Sequence, residues 1–314
     1  MQSGKHFLWV EKYRPKKIAD CILPEDIKST FQGYVDDGRV PTLILVGGAG
    51  CGKTTVARCL ANELSADFMV VNASMDTGID NIRTKVLNFA SSVSFGGGMK
   101  ITLLDEADYL SHNSQAACRN FQEQFSDNHS IIFTANFKSK LIEPLLSRSQ
   151  VIDFKFRTAD IPKLSSQFFK RVQFILDEQH IEYDKKVVAE VVKHYFPDFR
   201  RCINELQKHA IGGSIGPEVL TEFSNTTFDE LVVHLKNKKF NEIRKWVANH
   251  SDIEPNELFN TFYTYASDKF DQKSIPAIVL MLNEAQYKSG LVANQEINTL
   301  AFLTSIMTSG IVFK

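Results

Sequence analysis

Thr42-Leu43-Ile44-Leu45-Val46 runs directly into Gly47-Gly48-Ala49-Gly50-Cys51-Gly52-Lys53-Thr54, then into Thr55 and the stretch VARCLANEL. A short apolar run, a glycine-rich turn of the form G-x-x-x-x-G-K-T and a good helix-forming segment make up a phosphate-binding loop in the context it requires. The glycines let the backbone fold tightly, so that several N–H groups point at one phosphate chain, and the helix N-terminus adds partial positive charge. Lys53 is expected to reach the β- and γ-phosphates and Thr54 to hold Mg²⁺ through its hydroxyl, within a nucleotide-contacting span from Gly47 to Thr55.

Around this loop, further apolar runs alternate with polar or helical stretches: FMVV (Phe68 to Val71), ITLL (Ile101 to Leu104), SIIFTA (Ser130 to Ala135) and VIDF (Val151 to Phe154). Continuous apolar runs at this spacing read as buried parallel strands joined by crossover helices, an α/β sheet covered on both faces. The run Ile101 to Leu104 delivers Asp105-Glu106-Ala107-Asp108. A carboxylate at that strand end can hold Mg²⁺, which is the part expected of Asp105. Glu106, next in sequence, can polarise an attacking water as general base. The letters DEAD also occur in helicases that need two tandem nucleotide-type domains, but this chain has strands for one.

From about Arg157 the pattern becomes helical, with Leu164, Phe168, Phe169, Val172 and Leu176 on one stripe and Val187, Val188, Val191, Val192 and Tyr195 on another. GGSIGP (Gly212 to Pro217) has a linker's composition. The remainder, including FDELVVHLKNKKFNEIRKWVANH and IPAIVLMLNEAQYKS, reads as all-helical without a chemical motif. Three domains are therefore expected: a nucleotide-binding domain over 1–155, a small helical lid over 156–215 and an all-helical C-terminal collar over 216–314.

Composition narrows the partners. The 314 residues include 36 Lys+Arg against 37 Asp+Glu, a formal net charge of −1, so any nucleic-acid contact must be a local patch or arise in an assembly. At 43% hydrophobic and 23% charged the chain is ordinarily globular. The opening MQSGKHFLWVEKYRP lacks a signal peptide's apolar core, no run is long enough for a membrane span, and the five cysteines stand singly. A reducing cytoplasm is the expected location.

Three further segments complete a pattern: Val10-Glu11-Lys12-Tyr13-Arg14-Pro15, Ser147-Arg148-Ser149 after the strand ending Thr134-Ala135-Asn136, and the run Pro197-Asp198-Phe199-Arg200-Arg201-Cys202-Ile203-Asn204-Glu205-Leu206-Gln207. With the phosphate loop and DEAD, their order from about Val10 to Gln207 resembles the AAA+ ATPase subunits of sliding-clamp loaders. FPDFR and the short helical C-terminal zone lean the likeness towards the bacteriophage branch of that family. The resemblance implies an adenine pocket at Val10, Tyr13, Arg14 and Pro15, and a sensor of the γ-phosphate or attacking water at Asn136. It also implies an arginine finger at Arg148, reaching a neighbouring subunit's ATP, and a second sensor at Arg200. The family usually has Cys where Ser149 stands and often Gly where Pro197 stands.

The same resemblance implies ATP and Mg²⁺ as cofactors, with a sliding clamp, primer–template DNA, further copies of the chain and a different small loader subunit as partners. DNA contacts are expected at Arg83, Gln115 and Arg119, with Gln115 coupling such contact to the Glu106 segment. Phe89, Val93 and Phe95, beside Gly96-Gly97-Gly98, are candidates for docking onto the clamp. Two other readings stay open. Another AAA+ motor, a branch-migration helicase or an initiator, would need a pore loop or an extra DNA-binding domain, neither of which is seen. A non-catalytic subunit would have lost Lys53, the acidic pair or Arg148, and all are present.

Overall fold

The computed structural model describes residues 7–75, 79–94, 98–124, 128–217, 219, 225–250 and 255–314. Five strands, β1 (Leu43–Val46), β2 (Asp67–Asn72), β3 (Lys100–Asp105), β4 (His129–Ala135) and β5 (Gln150–Asp153), form one sheet in the order β2-β3-β4-β1-β5. All four pairings are parallel. Successive side chains of a strand face opposite ways. Leu43 and Leu45 of β1 accordingly enter one core with Ile101, Leu103 and Ile132, while Ile44 and Val46 enter another with Leu104, Ile131 and Phe133. That division is why the strands read as unbroken apolar runs.

The first core is closed by α2 (Glu25–Asp36), through Phe31, and α3 (Lys53–Glu63), through Val56 and Leu60. The second is closed by α4 (Ile79–Ser91), through Ile82 and Val86, and by Cys118 of α5 (His112–Gln124). A short α1 (Trp9–Lys12) precedes these elements, and α6 (Glu143–Leu146) leads into β5. The order β2-β3-β4-β1-β5 places β1 between β4 and β5, so the chain leaves β1 for the far edge at β2, returns through β3 and β4, and crosses β1 once to reach β5. In such sheets ligands bind beyond the strands' carboxyl ends, at the point where the winding reverses.

Beyond the sheet, α7 (Ile161–Glu178), α8 (Lys185–Tyr195) and α9 (Phe199–His209) form a small helical layer. Its core takes Leu164, Phe168, Val172 and Leu176 from α7 and all four valines from α8, with Cys202 and Leu206 from α9. Asp184 and Asp198 start α8 and α9 by accepting the N–H of Lys186 at 2.7 Å and of Arg201 at 2.9 Å, the ordinary cap of a helix N-terminus.

GGSIGP is not a linker. Ser214–Ile215 forms a short strand β7, parallel to β6 (Glu182–Tyr183), and Ile215 is buried. Gly and Pro mark turns, but an isoleucine between them still has to be covered, and the lid covers it. The chain divides into compact units at Met1–Glu222 and Phe223–Lys314, past the expected linker.

The second unit is helical: α10 (Asn225–Lys236), α11 (Phe240–Asn249), α12 (Pro255–Lys269), α13 (Ile275–Ser289) and α14 (Gln295–Thr308). The long amphipathic stretch breaks between α10 and α11 at Lys238, which has a left-handed φ of 52°. A core of its own runs through Leu231, Ile243, Phe259, Phe262, Phe270, Ile278 and Leu303. Among the described residues no helix is long and apolar enough to cross a membrane, and all five cysteines are free.

Candidate nucleotide site

A cavity of about 390 Å³ opens at the carboxyl end of the sheet, over the loop between β1 and α3. Its wall includes Ala49 to Thr55, Asp105, Glu106 and Asn136, and also Val10, Tyr13, Arg14 and Arg200. Segments far apart in sequence thus meet where the sheet topology places a ligand.

Gly50 and Gly52 show why the loop is glycine-rich. Both have left-handed φ, 68° and 100°, and Gly52 is the residue from which α3 starts. A Cβ on Gly50 would also overlap the carboxylate of Asp198, which comes down from the start of α9.

Lys53 is buried, and its ammonium donates to the carbonyls of Gly47 and Gly48, each at 2.7 Å, and to Asn136 Oδ1 at 3.0 Å. Gly47 and Gly48 therefore serve the lysine, while the cavity wall begins at Ala49. Burial pushes the Lys53 ammonium below its ordinary range, an effect Arg200 adds to and Cys51, Asp105 and Asp108 oppose. Burial likewise raises the Cys51 thiol, whose Sγ lies 3.0 Å from the Gly48 carbonyl.

The acidic strand end is tied to the loop and to β4 at once. Asp105 Oδ1 accepts from Thr54 Oγ1 at 2.8 Å and from Thr134 Oγ1 at 2.5 Å. Thr134 Oγ1 also accepts the backbone N–H of Glu106 at 3.0 Å. That bond fixes a strained residue, for Glu106 has φ 60° and ψ 43°, a left-handed conformation uncommon outside glycine. The turn aims the glutamate into the cavity instead of continuing the strand. Sequence reasoning missed Thr134, although it lies in the quoted TAN run. Asn72 was missed too: it ends β2 in register with Asp105 and lines the cavity.

The other wall comes from the N-terminal segment and the lid. Arg171 of α7 donates to the carbonyl of Tyr13 at 2.9 Å, and Gln179 donates to the Tyr13 hydroxyl at 2.5 Å. Phe174 meets the Tyr13 ring edge-on. Arg14 is paired with Glu11, and Arg200 reaches the cavity from the first turn of α9. Nothing in the sequence pattern had pointed to Arg171 or Gln179.

Arg148 is exposed in the turn before β5, donates to the Pro144 carbonyl at 3.3 Å and is not part of this cavity's wall. Arg83 is exposed on α4. Gln115 requires a correction. Its side chain is 0% exposed, donating to the carbonyls of Leu110 at 3.1 Å and Lys140 at 3.0 Å and accepting from Ile142 N–H at 2.8 Å. With every polar atom engaged inside the fold it cannot touch a DNA backbone. It instead joins the start of α5 to the segment after Asn136, leaving only the coupling role open. The Arg119 side chain lies outside the described residues.

Of the apolar trio, Val93 is 88% exposed, Phe89 packs its ring against His129 at 6.1 Å, and Phe95 lies outside the described residues. Phe89 thus belongs to the fold. Its half-burial and the hydrogen bonds from Lys100 to the carbonyls of Phe89 and Ser92 finish α4 there.

A parallel sheet with a phosphate loop at its reversal point, a lysine inside that loop and an acidic pair on the next strand but one define a P-loop nucleoside triphosphatase. Comparisons refine that class. Residues 43–157 match the model for "ATPase family associated with various cellular activities (AAA)", and 160–221 match "Sliding-clamp-loader large subunit, AAA+ ATPase lid domain". The chain is 36% identical over 311 residues to the sliding-clamp-loader large subunit of Enterobacteria phage T4, covering 96% of this chain and 95% of that one. It is 35% identical to the replication factor C small subunit of Methanothermobacter thermautotrophicus, over 69% of this chain and 66% of that one. Among solved structures, a RuvB variant of Thermotoga maritima superposes with a TM-score of 0.56 at 16% identity, over 77% of this chain and 86% of that one, a likeness of fold. The chain belongs to the AAA+ ATPase family of sliding-clamp-loader subunits, and it is an ATPase.

Proposed function

We propose that this chain is one of several ATPase subunits in an assembly that opens a ring-shaped sliding clamp and leaves it closed around primer–template DNA. The observation that carries this reading is the 36% identity to a phage clamp-loader large subunit across nearly the whole of both chains, joined to Lys53, Thr54, Asp105 and Glu106 meeting in one cavity. ATP binding would order copies of the chain, with a different small subunit, into a spiral that grips the open clamp. DNA would trigger hydrolysis and release. In this reading 1–155 binds nucleotide, the helical layer that follows is the lid, the unit from Phe223 onward is the collar, and the protein works in the cytoplasm.

Hydrolysis needs positioning and charge stabilisation more than covalent chemistry. Lys53 and the Ala49–Thr55 amides would cradle the phosphates, and Asn136, bonded to Lys53, would sense the γ-phosphate. Glu106 would hold the attacking water and accept its proton. Thr54 and Asp105 fit Mg²⁺: a hydroxyl and a carboxylate already in contact are the hard oxygen donors that ion takes, together with substrate phosphates. When bound, Mg²⁺ would neutralise charge developing on the phosphates. Val10, Tyr13 and Arg14 would border the base and Arg200 the phosphates. Arg148, which is not on its own cavity's wall, would serve a neighbour's. Exposed Arg83, with Arg119, would meet the DNA backbone through charge, without reading sequence.

The test is steady-state ATP hydrolysis by the purified chain with its genome's small loader subunit and clamp, with and without primed DNA. Stimulation that requires both clamp and DNA is expected. Hydrolysis indifferent to the clamp would overturn the loader reading in favour of another AAA+ motor.

A further inference from the structure

The N-terminal segment that borders the base end of the cavity has no strand or long helix to hold it. Arg171 and Gln179 hold it at Tyr13, and one further side chain holds its start. Gln207, near the end of α9, accepts the backbone N–H of Trp9 at 2.8 Å and donates its amide to the carbonyl of Phe7 at 2.8 Å. A primary amide offers one acceptor and two donors in a plane, so it can pair with a backbone segment as a neighbouring strand would. Trp9 is buried beside this pairing, and Val10, Tyr13 and Arg14, the next few residues, line the cavity.

The position of Gln207 on its helix gives the pairing a consequence. Arg200, Ile203 and Gln207 are spaced three and four residues apart, which puts them on one face of α9. Arg200 and Ile203 line the cavity, and Gln207 grips the base-side segment. One rigid helix of 11 residues thus carries the phosphate-side arginine at its start and the base-side clasp two turns later. At its first turn, Asp198 sits against Gly50 of the phosphate loop.

We propose that Gln207 is a positioning residue that ties the base-binding segment to the helix of Arg200, so that a bound base and a phosphate-bound Arg200 favour one another. The inference rests on the nucleotide-site reading above. It distinguishes a tether from a merely structural bond: breaking the tether should weaken a ligand that has a base and spare one that has only phosphates.

The experiment measures binding of ATP and of inorganic tripolyphosphate, both with Mg²⁺, by calorimetry on the full chain and on Gln207→Leu. Two hydrogen bonds to an ordered segment are lost, so ATP should bind about tenfold more weakly, while tripolyphosphate stays within about twofold. Arg200→Ala should weaken both ligands in the wild-type background, and its penalty on ATP should shrink in the Gln207→Leu background while its penalty on tripolyphosphate does not. Should Gln207→Leu fail to fold, Gln207→Glu keeps the acceptor for Trp9 and removes the donor to Phe7. A smaller ATP-only loss of about threefold is then expected. Equal losses for ATP and tripolyphosphate, or an ATP affinity unchanged within about twofold, would overturn the tether. A wild-type chain that binds neither ligand would instead remove the nucleotide site itself, and the tether with it.

Discussion

At the phosphate end of the cavity nearly every group stands on the carboxyl edge of one parallel sheet: Lys53 and Thr54 after β1, Asp105 and Glu106 at the end of β3, Thr134 and Asn136 at the end of β4. At the other end the wall includes Tyr13 and Arg171, and the N-terminal segment is held by Arg171 and Gln179 at Tyr13 and by Gln207 at Trp9, 198 residues away, through single side-chain hydrogen bonds. The first end is fixed by the same burial that makes the sheet. The second exists only while the N-terminal segment stays on the lid. The difference teaches where chemistry and where regulation can reside. Groups that must hold a reacting phosphate within tenths of an ångström are best carried on rigid strands, and groups that respond to occupancy are best carried on a separately attached part.

The largest expected effect tests whether the phosphate end is finished from outside the chain. Arg148 is not on its own cavity wall, so Arg148→Ala should leave ATP affinity unchanged while lowering DNA- and clamp-stimulated hydrolysis by about 10³-fold or more in the assembly. Mixing in wild-type subunits should restore activity only at sites that receive a wild-type neighbour. Full activity of the variant would end the arginine-finger assignment and make the phosphate end self-contained.

A smaller effect is expected inside that end. Thr134 links Asp105 to the backbone of Glu106, and valine keeps its shape without the hydroxyl. Thr134→Val leaves the half-buried Glu106 N–H without this partner at a left-handed residue, so the glutamate should drift. A fall in kcat of about tenfold is expected, with KM for ATP nearly unchanged and the melting temperature lowered by a few degrees. If kcat holds and KM rises, Thr134 supports ground-state binding and not the geometry of Glu106.

The same division explains what the sequence made legible. The loop after Val46 and the carboxylates after Leu104 were readable because strand, turn and motif are contiguous, so local pattern and chemistry coincide. Gln207 stood in plain view at the end of a quoted run, yet its partners are backbone atoms of Phe7 and Trp9, and backbone atoms have no letter in a sequence. Gln115 was misread for a related reason. A polar residue on a helix looks solvent-facing, and only the fold shows three backbone groups converging on its buried amide. Ile215 was passed over because glycine and proline around it signalled a turn, which says nothing about what a single isoleucine in that turn packs against.

The smallest effect concerns the opposite edge of the sheet, remote from both ends of the cavity. His129 begins β4, is buried, and pairs its Nε2 with Thr102 Oγ1 at 2.8 Å beside the Phe89 ring. Burial, and then the nearby Lys100 ammonium, push its pKa down from 6.5 to about 4. Above pH 6.5 the imidazole is neutral both folded and unfolded, so it adds no pH dependence there. Below 6.5 the unfolded chain takes up a proton that the folded chain refuses, and stability is lost as pH falls until about 4, where both forms are charged. A depression of that size corresponds to a loss of about 3 kcal/mol across the window. Urea midpoints at pH 7, 5.5 and 4.5 should therefore fall more steeply for the wild type than for His129→Gln, which keeps a polar partner for Thr102 but does not titrate. ATP affinity at pH 7 should be equal in the two proteins, because the histidine stands at the amino edge of the strands and the cavity at the carboxyl edge. Parallel pH slopes would mean that the folded chain accepts the proton, and that this edge of the sheet is wetter than its packing shows.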